Sequence, residues 1–380
     1  MTTGSAGAGK GSAVEPRPGR YSLDDEASGL RGHLVVDSLR GGLCAGGLRI
    51  WPDVSEAVLA RLARLMTLKF GIAGLPIGGA KAGLAADPRA PGSRALLPAA
   101  GRALRPWLER CYVMGEDLGT RTEDVLTVYR HADVEPTRLM PAGAASAAPA
   151  LLRAGPVVAG WGVAEAARTA AMTLGLPVES LRASVQGFGT VGAAAAGRLR
   201  QLGVTVVAVA DARGTLFDPS GLDVDELRRA VDGGGIVDRG RVPARVVRLR
   251  AADWCQVPAE LLVPAAVEDA ITVETLSKVT RSARLLVEGA NSPVTEEAER
   301  RLEEAGVTVV PDFVANAGSA AALGLVIQGL AGSEQALVRE ACLRIARATA
   351  AVVAAAGAGT TARQRAVRLS ERLAATAAGG

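Results

Sequence analysis

The sequence is poor in histidine and cysteine, which limits the chemistry open to it. Its 380 residues include two histidines, His33 and His131, and four cysteines with no C-x-x-C spacing. A Ser-His-Asp triad or a histidine-rich metal centre would have almost no side chains to build from, so we predict no metal site and give both histidines structural or surface roles. Nothing resembles a secretory signal, and the scattered cysteines favour a reducing, cytoplasmic setting.

Long apolar runs and clusters of one charge are also missing. Arg, Gly or Pro interrupts every stretch before it reaches the roughly 18 apolar residues that would span a bilayer, so we expect no membrane partner. The net charge of +4 comes from arginines spread along the chain, and aromatic residues make up only 3%. The absence of a basic run with interleaved aromatics argues against a nucleic-acid partner.

The sequence is long and rich in alanine and glycine. At 380 residues, 49% of them hydrophobic, the chain exceeds the size at which one core keeps growing, so we expect two domains. Residues 1–20 lack apolar periodicity and are predicted to form a flexible tail. The Pro- and Gly-rich stretch at residues 140–162 marks the junction between a domain of residues 21–150 and a second domain of residues 151–335. We predict long alanine-rich helices for residues 336–380, packing back on the N-terminal domain.

Both domains show α/β patterning. In the first, a strand at residues 33–39 precedes helices predicted from Ser55 to about residue 67 and from residue 96 to 110, with glycine-rich loops between elements. The second contains short apolar runs separated by helical segments, as a parallel sheet requires. These runs are residues 183–189, 204–211, 261–264, 284–291 and 307–312.

A glycine fingerprint follows the first strand of the second domain. The turn Gly187-Phe188-Gly189-Thr190-Val191-Gly192 contains G-x-G-x-x-G and opens a predicted helix. In a dinucleotide fold, these glycines permit a tight turn, the approach of a pyrophosphate to the backbone, and close packing of helix on strand. We therefore predict that this turn binds a dinucleotide, the alternative being a merely tight turn between strand and helix.

The next strand of the second domain ends in an acidic residue, Asp211. A carboxylate at this point can accept hydrogen bonds from the adenosine-ribose hydroxyls. Because it would repel a 2′-phosphate, Asp211 favours NAD. Arg213, two residues further on, could relieve that repulsion, so NADP stays open as a cofactor.

The segment from Met66 to Lys81 sets two lysines twelve residues apart around a turn rich in Gly and Pro. Lys69 precedes the turn and Lys81 follows it. The pKa of a lysine falls readily on burial, so such a group can hold an anion in one setting and polarise a carbonyl in another. The alternative for each is a solvated surface charge.

Seven motifs, all in one order, make the chain resemble the glutamate, leucine, phenylalanine and valine dehydrogenase superfamily over roughly residues 30 to 330. They are AGGLRIW (45–51), MTLKFGIAGLPIGGAK (66–81), YVMGEDLGT (112–120), GWGV (160–163), VQGFGTVG (185–192), VEGANSPVT (287–295) and PDFVANAG (311–318). The resemblance implies an N-terminal α/β domain for substrate binding and oligomerisation, a Rossmann-type NAD-binding domain, and a cleft between them. It also implies a homo-oligomer that reversibly deaminates an L-amino acid to a 2-keto acid and ammonia.

The resemblance assigns roles to three charged residues. Lys69 matches the lysine that holds the substrate α-carboxylate. Lys81 matches the catalytic lysine, which polarises the carbonyl and would need a pKa lowered to about 7 to 8. Asp117 matches the acidic residue that exchanges protons with the substrate amine, with a turn-capping carboxylate before Gly119 as the alternative.

It also assigns roles to uncharged residues. Gly46 and Gly47 match backbone that the substrate approaches, Asn291 matches a position near the nicotinamide ribose, and Asn316 matches one near the substrate carboxylate. The alternatives are ordinary loop glycines and asparagines in left-handed turns.

Two positions depart from glutamate-specific members. Those members carry a lysine before the paired glycines, where this chain has Ala45, and a serine seven residues after the Asn316 position, where it has Leu323. Burying the side-chain carboxylate of glutamate without a partner would be costly, so a branched-chain or aromatic L-amino acid is favoured. Gly115 and Ala320 leave room for its bulk.

Two further departures concern the cofactor. Ala159 stands where many members have a Thr whose hydroxyl meets the nicotinamide amide, and Ser319 replaces a common glycine. Beside an NAD-dependent dehydrogenase of apolar amino acids, they keep open the alternative of a catalytically inactive sensor of NAD or an amino acid. A glutamate dehydrogenase is a third alternative, which requires another cation in the substrate pocket.

Overall fold

The structure, a computed structural model, describes residues 15–141, 144, 148–330, 332–355 and 359–379. The chain divides into two compact units. The first comprises the residues up to Leu152, residues 323–333 and the residues from Ser370 onward, and the second comprises Arg153–Ala322 and Glu334–Leu369. Each unit has its own β-sheet with helices, which confirms the predicted two-domain α/β class.

The first unit contains a five-stranded mixed sheet in the order β1-β2-β4-β3-β5. Its strands are β1 (Gly19–Ser22), β2 (Gly32–Val36), β3 (Cys44–Ile50), β4 (Gly78–Leu84) and β5 (Tyr112–Glu116). Its first helices are α1 (Glu56–Ile72), α2 (Leu97–Leu108) and α3 (Thr122–Ala132). Strands β3, β4 and β5 run parallel, whereas β2 pairs antiparallel with both β1 and β4.

The two faces of this sheet pack against different helices. Alternate strand residues such as Leu48 and Tyr112 form a buried cluster with side chains of α2 and α3. On the opposite face, Val35 packs against Leu59 of α1. Successive strand side chains point to opposite faces, so each strand contributes residues to both.

Helix α1 begins where the sequence predicts and ends later. Ser55 caps its N-terminus by accepting a hydrogen bond from the Val58 N–H. The helix continues to Ile72 before the chain turns at Gly74, whose φ is 63°. Lys69 therefore lies in the last turn of α1 and not beyond its end.

The glycine-rich segments of the first unit are strands, where we had predicted loops. Strands β3 and β4 place Gly46, Gly47 and Gly79 at the centre of the sheet. A Cβ at Gly79 would lie 2.1 Å from the carbonyl oxygen of Ala63 in α1, so only glycine lets the helix lie this close to the strand. Glycine is uncommon in strand interiors, and residue propensity therefore hid these strands.

The second unit contains a seven-stranded sheet in the order β12-β11-β10-β6-β7-β8-β9. Its strands are β6 (Arg182–Gln186), β7 (Thr205–Asp211), β8 (Gly214–Phe217), β9 (Val247–Leu249), β10 (Leu261–Pro264), β11 (Leu285–Val287) and β12 (Thr308–Val310). The remaining helices of the chain are α4 (Ala148–Thr173), α5 (Thr190–Gln201), α6 (Val224–Arg229), α7 (Glu296–Glu304), α8 (Asp312–Ala315), α9 (Gly318–Ile327), α10 (Glu334–Ala354) and α11 (Ala362–Gly379).

The five apolar runs correspond to the five parallel strands β6, β7, β10, β11 and β12. Two short antiparallel strands, β8 and β9, extend the sheet and escaped the sequence pattern. The connection from β10 to β11 contains no α-helix, contrary to our expectation of a helix between each pair of strands.

The domain boundaries differ from the predicted ones. Residues 1–14 of the predicted tail lie outside the described residues, and β1 begins at Gly19 within that tail. The unit boundary after Leu152 is close to the predicted junction but falls inside α4. Residues 334–369 belong to the second unit, and only the residues from Ser370 onward join the first, so most of the C-terminal segment does not group with the N-terminal domain.

From Ala148 onward the Pro- and Gly-rich junction belongs to α4, and two of its glycines allow close packing. A Cβ at Gly160 would lie 2.5 Å from the carbonyl oxygen of Val191, and one at Gly162 would lie 2.6 Å from Cδ1 of Ile345. Sequence alone reads such glycines as a linker. Helix α4 instead uses them to approach its neighbours in the second unit.

Within the described ranges, no helix has the length and apolar character needed to cross a membrane. Over the same residues, no group of three or more His, Cys, Asp and Glu side chains is placed to hold a metal ion.

Candidate functional site

Asp117 directly follows β5, and its carboxylate lies between two cations. Its Oδ1 is 3.0 Å from Nζ of Lys81 on β4. Its Oδ2 accepts a hydrogen bond of 2.6 Å from Nε of Arg49 on β3. The Lys81 and Asp117 side chains are only 7% and 20% exposed, so the two residues predicted to be catalytic meet in a largely buried ion pair.

The sheet explains why Lys81 points to this place. Its neighbours along β4, Ala80 and Ala82, belong to the cluster under α2 and α3. Alternation along the strand directs Lys81 to the opposite face. Strand β3 lies between β4 and β5, which brings Arg49 within reach of the carboxylate beyond β5.

The two cations decide the ionisation of Asp117. Burial opposes the charged form, but the positive charges of Lys81 and Arg49 outweigh it, so the pKa of Asp117 lies below its ordinary value. The carboxylate is therefore ionised at neutral pH and can accept a proton.

A tight turn holds the Asp117 carboxylate in position. The Asp117 N–H donates to Oγ1 of Thr120, and that hydroxyl lies within hydrogen-bonding distance of the Leu48 carbonyl oxygen on β3, 2.9 Å in both cases. Gly119 has φ 82°, and a Cβ there would lie 2.0 Å from the carbonyl oxygen of Ile50. The Thr120 hydroxyl ties this turn, which leaves the Asp117 carboxylate to Lys81 and Arg49, so the turn-capping alternative does not describe it.

Arg49 is a site residue that sequence reasoning missed. It belongs to the AGGLRIW motif, but the motif gave it no role. The usable signal was its place two residues beyond Gly47 in a strand, because residues i and i+2 share a face. That signal required the glycine-rich segment to be recognised as a strand.

Lys69 and Lys81 lie on two elements joined by one threonine. The buried Oγ1 of Thr67 in α1 accepts a hydrogen bond of 3.0 Å from the Gly79 N–H of β4 and donates one of 2.6 Å to Asp37. Thr67 precedes Lys69 by two residues, and Gly79 precedes Lys81 by two. This contact sets the register of helix on strand and with it the placement of both lysines. Lys69 itself is half-buried.

The glycines predicted to face the substrate are set mainly by packing. A Cβ at Gly46 would lie 1.8 Å from the Ala80 carbonyl oxygen, and one at Gly47 would lie 2.4 Å from that of Glu116. Gly115 differs, because a Cβ there would meet nothing within 4 Å. Open space therefore lies beside Gly115, which pairs with Gly47 in the sheet.

The remaining predicted pocket residues are apolar and are buried or half-buried. Ala45 is fully buried on β3, between Gly79 of β4 and Val113 of β5. Ala320 is buried and Leu323 is half-buried on α9. The division into units falls between residues 322 and 323 of this helix, so Ala320 belongs to the second unit and Leu323 to the first.

The glycine fingerprint occupies a strand–turn–helix, as predicted. Gly187 directly follows β6 with φ 89°, and a Cβ on it would lie 2.8 Å from the Ala265 carbonyl oxygen. A Cβ at Gly192 would lie 2.0 Å from the Gly187 carbonyl oxygen, whereas one at Gly189 would meet nothing within 4 Å. Two glycines thus satisfy packing, and Gly189 leaves open space at the N-terminus of α5, where backbone N–H groups attract phosphates.

The other residues of this turn have distinct environments. Thr190 is exposed and Val191 is half-buried at the first turn of α5. Phe188 is 1% exposed, so its side chain belongs to the core and only its backbone faces the turn. Gly235, in the segment after α6, lies beside the turn, since a Cβ on it would be 2.9 Å from the Gly189 nitrogen.

Asp211 ends β7 as predicted, but an arginine holds its carboxylate. Arg239 donates from Nη1 to Oδ2 at 2.6 Å and from Nη2 to Oδ1 at 2.7 Å. The backbone N–H groups of Val237 and Arg213 donate to the same two oxygens. Burial raises the pKa of Asp211, but these hydrogen bonds outweigh burial and hold it below its ordinary value. Sequence gave no sign of Arg239, which lies 28 residues further along the chain.

Asn316 and the loop after β11 form a buried polar group. Nδ2 of Asn316 donates to the carbonyl oxygens of Gly289 and Ala290, at 3.2 and 3.1 Å, and to Oδ1 of Asn291 at 3.4 Å. Its φ is −92° and Asn291 has no positive φ, so neither is a left-handed turn residue. Oδ1 of Asn316 is buried and unpaired, as is Oε1 of Gln186 at the end of β6.

A buried cluster of carboxyl groups around Arg363 holds the loop after β11 in place. Arg363 of α11 binds Glu288 at 2.7 Å, Glu299 at 2.8 Å and Asp312 at 3.0 Å. Asp312 in turn accepts a hydrogen bond of 3.0 Å from the Ser292 N–H. Burial raises the pKa of Glu288 to about 8, despite the nearby guanidinium of Arg363.

Ala159 and Ser319, which differ from the residues common in the family near the nicotinamide, both make contacts within the second unit. The Ser319 hydroxyl donates to the Gly155 carbonyl oxygen of α4. Ala159 is 7% exposed on the same helix. Ser319 thus ties α9 to α4.

The fold and these two sites are typical of one class, the dinucleotide-dependent oxidoreductases, with the predicted catalytic charges on one unit and the predicted phosphate-binding turn on the other. Two family models match the chain. The model described as Glutamate/Leucine/Phenylalanine/Valine dehydrogenase matches residues 153–377, and the model described as Glu/Leu/Phe/Val dehydrogenase, dimerisation domain, matches residues 21–133. The chain therefore belongs to the Glu/Leu/Phe/Val dehydrogenase family of NAD(P)-dependent amino acid dehydrogenases.

Several known proteins are similar over most of the chain. An NADP(+)-dependent glutamate dehydrogenase of Pyrobaculum calidifontis is 37% identical over 302 residues, which cover 76% of this chain and 70% of that protein. An NAD-specific glutamate dehydrogenase of Staphylococcus aureus is 31% identical over 290 residues, 73% of this chain and 67% of that protein. Among solved structures, the hetero-hexameric glutamate dehydrogenase from Thermus thermophilus in its Leu-bound form has a TM-score of 0.76 at 29% identity, covering 94% of this chain and 88% of that chain.

Proposed function

We propose that this protein oxidatively deaminates an apolar L-amino acid, branched-chain or aromatic, to the 2-keto acid and ammonia in a reversible NAD(P)-dependent reaction. The observation that carries the proposal is the pairing of Lys81 with Asp117 on a sheet where Ala45 occupies the position of the glutamate-binding lysine. The reaction follows from the charged pair, and the substrate class follows from the alanine.

The charged residues have separate tasks in this reaction. Lys69 holds the substrate α-carboxylate. The ionised Asp117 accepts a proton from the substrate ammonium, and Lys81 stabilises negative charge on the oxygen that water adds to the imine carbon. Arg49 does not need to touch the substrate, because it orients Asp117 through the hydrogen bond of 2.6 Å and keeps it ionised.

The pocket residues favour an apolar side chain. Ala45 and Leu323 offer neither a cation nor a hydroxyl, so a glutamate side chain would be buried without a partner. An aliphatic side chain gains about 1.5 to 3 kcal/mol on burial. The open space beside Gly115 supports a substrate with bulk at this position.

The second unit fits a dinucleotide. The open face of Gly189 at the N-terminus of α5 suits a pyrophosphate. The buried and unpaired oxygens of Gln186 and Asn316 suit the N–H donors of a carboxamide. The bound dinucleotide would supply the acceptor for the substrate hydride, and the residues named here would hold and orient it.

A substrate panel tests the proposal directly. Purified protein is mixed with NAD or NADP and Leu, Val, Ile, Phe or Glu at alkaline pH, and the absorbance of the reduced cofactor is followed. We expect kcat/KM for an apolar amino acid to exceed that for Glu. The variant Ala45→Lys should shift this ratio toward Glu by about tenfold or more, the worth of one hydrogen bond between charged groups. Ala45→Met, with similar bulk and no charge, is the matched control.

Two outcomes would replace the proposal. Preferential turnover of Glu by the unaltered protein would make it a glutamate dehydrogenase, the activity named for its Pyrobaculum and Staphylococcus relatives. Dinucleotide binding without turnover of any amino acid would make it an inactive sensor of the same fold.

We also propose a homo-oligomer. The support is the match of residues 21–133 to a model described as a dimerisation domain. Sedimentation of the purified protein at several concentrations tests this proposal, and a monomer at all of them would contradict it.

A further inference from the structure

The end of β7, where a Rossmann fold recognises the adenosine ribose, carries an unexpected arrangement. A free carboxylate there would bind the ribose hydroxyls and repel a 2′-phosphate. In this protein the carboxylate is not free. The consequence concerns which dinucleotide the site accepts, and it rests on the dinucleotide binding that belongs to the proposed function.

All acceptor positions of Asp211 are filled. Oδ1 accepts from the Arg213 N–H at 2.8 Å and from Arg239 Nη2 at 2.7 Å. Oδ2 accepts from the Val237 N–H at 2.9 Å and from Arg239 Nη1 at 2.6 Å. An ionised carboxylate has about four lone-pair sites, and its side chain is only 2% exposed. Asp211 therefore has no capacity left for two ribose hydroxyls.

Arg239 is held as firmly as Asp211. Its Nη1 also donates to the Val237 carbonyl oxygen at 3.0 Å, and its Nη2 to that of Gly214 at 3.1 Å. The Arg239 side chain is 13% exposed. A bidentate, largely buried pair of this kind is stronger than a surface ion pair. It is a built feature of the fold that neutralises the charge of Asp211.

The segment that carries Arg239 also borders the phosphate-binding turn. Gly235, four residues before Arg239, lies against Gly189, as the 2.9 Å approach of a Cβ to the Gly189 nitrogen shows. The Asp211–Arg239 pair therefore lies close to the predicted pyrophosphate position, in the region where an adenosine ribose would bind.

A second arginine supplies the attraction that a phosphate needs. Arg213 lies in the turn between β7 and β8, two residues beyond Asp211, and is exposed. Within the described part of the chain, its guanidinium makes no ion pair or hydrogen bond, while its backbone N–H binds Asp211. A guanidinium is well matched to a phosphate because it offers paired N–H donors and a permanent charge.

We propose that the Asp211–Arg239 pair and Arg213 together make the adenosine-ribose end of the site accept a 2′-phosphate, so that the protein binds NADP at least as tightly as NAD. The pair removes both the acceptors that favour NAD and the negative charge that excludes NADP. Arg213 provides the cation for the phosphate. Sequence pattern alone gives the opposite preference, since it shows Asp211 without Arg239.

Binding of cofactor fragments to the full chain tests this inference without any turnover. Isothermal titration calorimetry compares adenosine 2′,5′-bisphosphate with 5′-AMP, which differ only in the 2′-phosphate. We expect the bisphosphate to bind at least as tightly as AMP. Arg213→Ala should weaken the bisphosphate about tenfold, the worth of one hydrogen bond to a charged group, and change AMP less than twofold.

Variants of the pair separate its two effects. Arg239→Met frees the acceptors of Asp211 and should turn the preference toward AMP by about tenfold or more. Because this variant leaves a buried carboxylate without its partner, Asp211→Ser serves as a second variant, which frees Arg239 and should tighten the bisphosphate. Arg245→Met, which breaks an Arg–Asp pair of 3.0 Å with Asp218 in the same unit, is the matched control and should leave the preference unchanged.

The outcomes decide between this inference and the proposed function. Tighter binding of AMP than of the bisphosphate by the unaltered protein, binding of neither fragment, or an unchanged preference in the Arg213 and Asp211 variants would each overturn it. If the fragments bind as expected but no amino acid is turned over, the proposed function fails and the inference about the 2′-phosphate stands.

Discussion

Replacing Arg49 with methionine tests whether the Asp117 carboxylate depends on it. The variant Arg49→Met keeps the length of the side chain and removes the hydrogen bond of 2.6 Å to Oδ2 of Asp117. A hydrogen bond between charged groups contributes about 1.5 to 3 kcal/mol. The lower half of this range applies, because Asp117 stays 20% exposed and keeps Lys81 as a partner at 3.0 Å. We expect kcat/KM to fall about tenfold or more.

The pH dependence distinguishes this effect from general damage. The folded-state pKa of Asp117 is lowered by Lys81 and Arg49 against the opposing effect of burial. Such a group contributes stability that is present above the unfolded-state pKa and is lost as the pH falls through the folded-state pKa. Arg49→Met should therefore be less stable than the unaltered protein at neutral pH and nearly as stable in acid. The acid limb of its pH–rate profile should move to higher pH.

A double-mutant cycle measures the interaction between Arg49 and Asp117 directly. Urea unfolding of Arg49→Met, Asp117→Asn and the double variant at neutral pH gives the coupling free energy of the pair. Arg105→Met, which removes an exposed pair of 3.5 Å with Asp133 in the same unit, is the control and should change stability by less than about 1 kcal/mol. A coupling below about 0.5 kcal/mol together with an unshifted acid limb would refute a positioning role for Arg49.

Three further predictions follow from single positions. Gly192→Ala should lower the free energy of unfolding by about 1 to 3 kcal/mol in a denaturant titration, because its Cβ would lie 2.0 Å from a carbonyl oxygen. Its control, Gly189→Ala, has open space around its Cβ and should fold normally. Gly189→Ala should instead weaken dinucleotide binding measured by calorimetry. Gly115→Leu should fill the open space beside β5 and lower kcat/KM for Phe more than for Val in the substrate assay, and equal losses would argue against a pocket there. Burial raises the folded-state pKa of Glu288 to about 8 and favours its neutral form, so the unaltered protein should lose stability as the pH rises toward that value. Glu288→Gln should remove this loss. Parallel curves of melting temperature against pH for the two proteins would contradict the prediction.

The glycines show what sequence patterns do and do not reveal. The G-x-G-x-x-G turn was predictable because its meaning is local: a strand, three glycines and a helix follow each other in the chain. That Gly46, Gly47 and Gly79 lie within strands was not predicted, since the need for glycine there depends on how close a helix or a neighbouring strand lies. A pattern of residue types carries no information about that distance.

The charged residues divide in the same way. Lys69, Lys81 and Asp117 could be given predicted roles, because each lies in a short motif that resembles a motif of the family. Arg49 and Arg239 could not be assigned, since their partners lie 68 and 28 positions away along the chain and meet them only in the folded protein.

By itself, the sequence determined the family, the two-domain α/β class, the identity of the predicted catalytic lysine and aspartate, and the position of the dinucleotide turn. Only the tertiary structure decided the electrostatic state of the two carboxylates predicted to act in catalysis and cofactor binding. Asp117 is kept ionised by Arg49 and Lys81, while Asp211 is closed by Arg239. The physical reason is that the ionisation and hydrogen-bonding capacity of a carboxylate depend on the charges within a few ångströms, and those neighbours come from distant parts of the chain.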